Sequence, residues 1–362
     1  MLHLPDILGQ RTAIELITSA MRADRVHHAW IFHGPEGVGK STTARAFAST
    51  LLDDTTTLVD GCFVPEPDSR TQRLIEAGTH PNLHIVTKEL ARYSEDDATR
   101  RRKLSNIPVE VIRQYLLEPA WKSAIDPLPS MAQKVFIVEE AELLRDSQQT
   151  MLKTLEEPPE GTVIILVTTS EERLLPTIRS RCQRIAFASL SDEDMRVWLT
   201  RAGIEMPDDD GLVRAFAAGS PGRVLLARDT GMLEWGPQLA PLLRDADRAV
   251  FNPKLGELLA SLADDWAKQW VSDHQNASKD AANKAACERL LAMLGERARR
   301  GLRRAIERGD DPDPWLHAID VLLQAQQQIG ANVNIKLAMA NAGAQLSRAS
   351  GGVEEPLLSL PR

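Results

Sequence analysis

Gly34-Pro35-Glu36-Gly37-Val38-Gly39-Lys40-Ser41 is the stretch on which the reading of this chain turns. It fits the phosphate-binding loop pattern of Gly, four free positions, then Gly-Lys-Ser or Thr. Ala29-Trp30-Ile31-Phe32 precedes it and reads as a buried strand. Thr42-Thr43-Ala44-Arg45-Ala46-Phe47-Ala48 follows it and reads as a helix. That context suits the chemistry. The glycines let backbone N–H groups turn inward around phosphate oxygens, and the helix N-terminus adds its dipole. In this role Lys40 neutralises the β/γ-phosphates and Ser41 ligates Mg²⁺. Thr42 belongs to the same nucleotide-binding turn.

Lys134-Val135-Phe136-Ile137-Val138-Glu139-Glu140-Ala141-Glu142 is the second informative stretch. A parallel strand buried on both faces reads as a continuous apolar run. Carboxylates at its C-terminal end lie where an open α/β sheet binds its ligand. Glu139 is expected to hold Mg²⁺ through water, and Glu140 to orient or deprotonate the attacking water. The alternative is that both acids begin the next helix. Thr162 to Thr169 is a further buried strand, ending in hydroxyls placed to sense the γ-phosphate, Thr169 among them. Gln183–Ala188 is the last strand expected. Strands alternating with helical stretches predict a parallel sheet flanked by helices.

The rest of the first half is less informative. Ile14, Leu16, Ile17 and Met21 place a helix before the first strand, which either covers an adenine or only packs. Leu51–Thr79, polar and rich in Asp, Thr and Pro, reads as an irregular surface insertion. Arg100-Arg101-Arg102-Lys103 reads as a solvated loop or a phosphate contact. Ile107–Lys122 carries apolar residues at helical spacing. Gln148–Glu157 reads as a helix ended by Pro158.

From Ser191 the strand pattern stops and helices follow to Ser350. The expected organisation is a core at 1–189, a helical lid at 190–235, a helical collar at 236–350 and a tail at 351–362. The chain of 362 residues has 43% apolar and 26% charged residues and a net charge of −8. That charge argues against coating nucleic acid by bulk attraction, though not against a local basic surface. Cys62, Cys182 and Cys287 are too dispersed for a disulfide framework or a zinc site. No basic-then-apolar leader and no apolar run of about 18 residues is present. A soluble cytoplasmic protein without membrane contact is expected.

Gly34–Ser41, the acid-ended strand, Leu152-Lys153-Thr154-Leu155-Glu156-Glu157-Pro158-Pro159 and Thr177-Ile178-Arg179-Ser180-Arg181-Cys182 together resemble the clamp-loader branch of the AAA+ ATPases. The likeness is closest to the delta-prime subunits of bacterial DNA polymerase III. His80-Pro81-Asn82-Leu83, Gly219-Ser220-Pro221-Gly222 and Asn332-Val333-Asn334 extend it, and it is thin between 236 and 325. The resemblance implies ATP and Mg²⁺ as cofactors. It also implies a hetero-oligomer with gamma/tau-type motor and delta-type clamp-opening subunits, acting on a sliding clamp and primer–template DNA through phosphate contacts. Arg181 would be an arginine finger reaching the ATP of a neighbouring subunit, whose cation stabilises charge on the transferring phosphoryl.

Four departures qualify that expectation. Glu139 stands where the family has Asp, a side chain longer by about 1.3 Å, and Mg²⁺ is exacting about geometry. Own hydrolysis is therefore expected to be weak or absent. The family's zinc cysteines are missing. Gly222 occupies the sensing-arginine position and Arg223 lies one residue on, turned by about 100°. The phosphate-binding loop is intact, although some delta-prime subunits have lost it. A gamma/tau-type motor and a self-contained AAA+ helicase loader are the alternatives. Arg297–Arg304 reads as a solvated helix face, with DNA or a partner subunit as the other options.

Overall fold

β1 (Ala29–His33) is buried from Ala29 to Phe32. The computed structural model describes residues 3–23, 25–101, 106–207, 211–248, 250–273, 278–331 and 333–348. β2 (Thr57–Val59) and β3 (Cys62–Val64) form an antiparallel hairpin. β4 (Leu83–Val86), β5 (Lys134–Val138), β6 (Thr162–Thr168) and β7 (Gln183–Ala186) join β1 in a five-stranded sheet of order β4-β5-β6-β1-β7. Every pairing in that sheet is parallel. β5 and β6 are buried throughout, which is why they read as unbroken apolar runs.

The register sets up one edge. His33 pairs with Thr168, and Val138 with Leu166. The residues that follow these strands, Gly34, Glu139 and Thr169, therefore emerge at the C-terminal edge of the sheet. On one face of the sheet Trp30 and Phe32 pack against Phe47 of the helix Lys40–Leu52, the Trp30 and Phe47 rings 5.3 Å apart and edge-to-face. The other face carries Ile31, Phe136, Ile164 and Leu166 against Ile107, Ile112, Leu116 and Met151. Lys134 is buried at the start of β5. Its ammonium accounts for its own burial by donating to the carbonyls of Pro119, Ala120 and Lys122 at the end of the helix Glu118–Trp121. Upstream of that helix, Arg113–Leu117 is π-helical, which accommodates the missing N–H of Pro119.

Leu51–Thr79 is more ordered than its composition implies. It holds the β2–β3 hairpin and the helix Arg70–Glu76. Asp53, 2% exposed, organises it. One carboxylate oxygen accepts from Ser69 Oγ and Gln72 Nε2, and the other from the amide and hydroxyl of Thr55. Polar residues that satisfy one another indoors have the composition of a surface loop. Elsewhere the expected elements are present with small shifts of boundary.

The chain divides into the units Met1–Trp198 and Leu199–Arg362. Among its described residues the second has helices as its only regular elements. Lys254–Asp273, Lys279–Arg308, Asp313–Gly330 and Ile335–Arg348 enclose a core that includes Leu255, Leu259, Leu290, Met293, Leu294 and Met339. The shorter helices Leu212–Ala217, Pro221–Asp229 and Trp235–Asp247 complete it. Lys254–Asp273 and Ile335–Arg348 cross with backbones in contact. A Cβ on Gly343 would lie 2.3 Å from Gly256 Cα. The α/β core and the all-α C-terminal region are thus both as expected. Asp208 to Asp210, Arg102, Lys103, Asn332 and the tail 351–362 lie outside the described residues.

Candidate nucleotide-binding site

The loop between β1 and the helix Lys40–Leu52 has the glycine conformations its motif demands. Gly34 has φ 142°, and a Cβ there would sit 2.2 Å from the Phe187 carbonyl oxygen. Gly39 has φ 101°, and a Cβ there would project into open space. The loop is thus tight against β7's continuation on one side and open where a ligand would lie. Lys40 is 6% exposed, and its ammonium donates to the carbonyls of Gly34 at 2.7 Å and Pro35 at 2.5 Å. Burial lowers its pKa from the ordinary lysine value, opposed by the carboxylates of Glu142 and Glu36. Ser41 is half-buried and Thr42 exposed at the helix start, while Val38 is buried and Pro35 and Glu36 face solvent. The helix is secured by Thr43, whose hydroxyl donates to the Gly39 carbonyl at 2.9 Å.

Gln10 braces this loop. Its amide nitrogen donates to the carbonyls of Val38 and Ala188, and its carbonyl oxygen accepts from the Ala188 amide. The N-terminal segment, the loop and the end of the sheet are thereby joined through one side chain, 4% exposed. Nothing local in the sequence marks Gln10, because its partners are remote in the chain.

The acids after β5 divide their tasks. Glu139 accepts from Arg45 of the loop's own helix at 2.8 Å. Glu140 takes a left-handed conformation, φ 49°, and pairs with Lys88 at 2.7 Å. Glu142, which the sequence reading passed over, accepts from the Thr169 hydroxyl at 2.5 Å and from the Thr169 amide at 3.3 Å. Burial raises its pKa, but hydrogen bonds from Thr169 and Thr168 outweigh this and hold it below the ordinary value. Glu142 is also the first of the acids that oppose the burial shift of Lys40. Of the acids after β5, it is therefore the third that is electrostatically coupled to the loop lysine, alongside Glu36 of the loop itself.

Arg181 follows the short helix Pro176–Arg179. Its guanidinium donates to the Thr177 carbonyl at 2.8 Å and pairs with Glu156 at 2.7 Å. Both partners belong to the sequence blocks that flank it. Arg223 is held within the second unit by the Phe216 carbonyl and ring and by Glu296 at 3.9 Å. Burial pushes the Cys182 thiol up to about 12, so it is a packing group and no nucleophile. Among the described residues no three His, Cys, Asp or Glu side chains cluster to hold a metal ion by themselves. No helix among them is long and apolar enough to cross a membrane.

These residues fit a nucleotide with its Mg²⁺. The open space over Gly39, the buried lysine behind the loop and the hydroxyl of Ser41 would supply a phosphate cradle and a metal-binding oxygen. A parallel sheet with this loop at its C-terminal edge is the architecture of a P-loop core. Residues 9–191 match the family described as "DNA polymerase III, delta subunit", and the chain belongs to that family. It is 30% identical over 301 residues to the DNA polymerase III subunit tau of Escherichia coli strain K12, covering 82% of this chain and 40% of that protein. It is 34% identical over 191 residues to the subunit gamma of Buchnera aphidicola subsp. Schizaphis graminum, covering 52% of this chain and 46% of that protein. It is 29% identical over 266 residues to the tau/gamma subunit of Haemophilus influenzae, covering 72% of this chain and 34% of that protein. The chain thus spans less than half the length of these relatives. They are gamma and tau subunits, so the family expected from the sequence stands at the level of clamp-loader subunits.

Proposed function

We propose that this chain is a clamp-loader subunit of the delta-prime type, which binds ATP, turns it over slowly or not at all, and acts on a neighbour's nucleotide. The loop from Gly34 to Ser41, with Thr42, would hold the phosphates, and Lys40 would leave its own loop carbonyls to meet them. Ser41 and Glu139 would hold Mg²⁺, and Thr169 would meet the γ-phosphate. The metal would supply charge neutralisation on the phosphates. The observation that carries weak turnover is the Arg45–Glu139 pair: the metal-binding acid is already engaged by a cation of the same site. Glu140, expected to act on water, is likewise paired with Lys88.

The outward work falls to Arg181, half-exposed at the end of a short helix. Its present partner Glu156 is half-exposed too, so exchanging it for a neighbour's γ-phosphate costs little. Residues 190–235 would serve as a lid and 236–350 as a collar joining gamma/tau-type and delta-type subunits, in a complex that closes a sliding clamp on primer–template DNA in the cytoplasm. A second reading, a gamma/tau-type motor, is favoured by the names of the relatives and the intact loop. The deciding experiment measures ATP binding and turnover by the purified chain. Binding that needs Lys40, with turnover only in the company of a motor subunit, supports the first reading. Steady turnover by this chain's own loop in the assembled complex supports the second.

A further inference from the structure

The second unit contains a cleft of about 440 Å³ that the nucleotide site does not use. One wall is the 30-residue helix Lys279–Arg308, from which Arg297, Arg300, Arg304 and Arg308 line the cleft. Their spacings of three, four and four residues place them in one stripe on the helix. Arg244, from Trp235–Asp247, lines it too. The stripe runs about 16 Å along the axis at 1.5 Å per residue. That is the axial length of roughly five phosphates on one nucleic-acid strand.

The cations are of two kinds. Arg297 is fixed: it pairs with Asp247 and lies over the Trp315 ring, 5.3 Å from its centre. Trp315 is itself seated on Gly301, where an added Cβ would come within 2.3 Å of the ring. Arg300 donates to the Arg214 carbonyl at 3.4 Å. Arg304 and Arg308 are exposed and, among the described residues, their side chains make no ion pair or hydrogen bond. Asp247, Asp310 and Asp311 also line the cleft, so five arginines stand against three aspartates in a chain whose net charge is −8.

We propose that this cleft binds the phosphodiester backbone of nucleic acid, with Arg304 and Arg308 as its contacting residues and Arg297 as its rigid edge. Guanidinium forks suit phosphate oxygens, and a row of them reads charge and spacing without reading bases. The choice of nucleic acid over another polyanion rests on the clamp-loader reading, whereas the cleft and its cations do not.

The test uses the full chain and a fluorescein-labelled oligodeoxythymidylate, with affinity measured by anisotropy over a range of salt. Replacing both Arg304 and Arg308 by Ala is expected to weaken binding about tenfold at low salt and to flatten the log–log salt slope by about 1.4, the share of two phosphate contacts on a single strand. Replacing both by Lys is expected to keep most of the slope, which separates lost charge from lost fold. Arg303→Ala, on the same helix outside the cleft, is expected to leave both quantities unchanged. Lys40→Ala is expected to abolish ATP binding and spare the oligonucleotide, so that the two sites fail separately. An unchanged slope in the double Ala variant overturns the proposal. So does loss of the slope in the Lys variant, or displacement of the oligonucleotide by polyglutamate as readily as by unlabelled DNA.

Discussion

Arg45 and Glu139, 94 residues apart in sequence, meet at 2.8 Å at the C-terminal edge of the sheet. The pair sets a cation of the loop's own helix on the acid that terminates β5. Metal binding through Glu139 has to compete with that guanidinium. Arg45→Ala is expected to strengthen Mg²⁺-dependent ATP binding by about 2- to 5-fold, the value of a partly exposed ion pair. Calorimetric titration with ATP, with and without Mg²⁺, checks this. Equal affinity in the variant and the parent chain would mean that Glu139 does not hold the metal.

Arg181 separates an outward role from a structural one. Its pair with Glu156 is half-exposed, so Arg181→Ala is expected to cost less than about 1 kcal/mol of stability in a denaturant titration. In the assembled complex the same change is expected to slow hydrolysis at the adjoining nucleotide by about 10³-fold, the scale of a lost arginine finger. A large stability loss with unaltered hydrolysis would make Arg181 a structural residue.

Asp53 ties the start of the 51–79 segment to its helix Arg70–Glu76 through Thr55, Ser69 and Gln72. Burial raises its pKa, and hydrogen bonds from Ser69, Thr55 and Gln72 more than offset this, leaving the folded value below the ordinary one. A carboxyl depressed in the folded state contributes stability above its unfolded pKa, and that contribution disappears as pH falls through the folded value. Asp53→Asn is therefore expected to flatten the acid limb of a stability–pH curve below about pH 4, near the unfolded carboxylate pKa. At neutral pH it is expected to cost about 1–3 kcal/mol through broken buried bonds. An acid limb identical to the parent's would remove Asp53 from this role.

Gly256 and Gly343 let two helices of the second unit touch. Gly343→Ala is expected to destabilise that unit by about 1–3 kcal/mol through overpacking, although Ala favours a helix. Thermal unfolding measures it, and a rise in the midpoint would show that the crossing has room.

Much of this molecule was legible in order along the chain. The loop at 34–41, the strand ending at Val138 and the long helices of the C-terminal half are local patterns, and each formed where its pattern lies. The 51–79 segment misled because composition records polarity without recording whether polar groups meet water or one another. Asp53, Ser69 and Gln72 meet one another.

The sequence by itself determined that a phosphate-binding loop sits between a buried strand and a helix, and that a helical region follows the α/β core. Those are consequences of backbone conformation and of apolar spacing, which neighbouring residues settle among themselves. The tertiary structure decided which acid faces which cation. Glu139 met Arg45, Glu140 met Lys88, and Glu142 became the partner of Thr169 and an acid coupled to Lys40. The same holds for Gln10, which bridges Val38 and Ala188. Charge pairing acts across a few ångströms of space whatever the separation along the chain. Only the order β4-β5-β6-β1-β7, with the loop helix packed on it, brings those partners within reach.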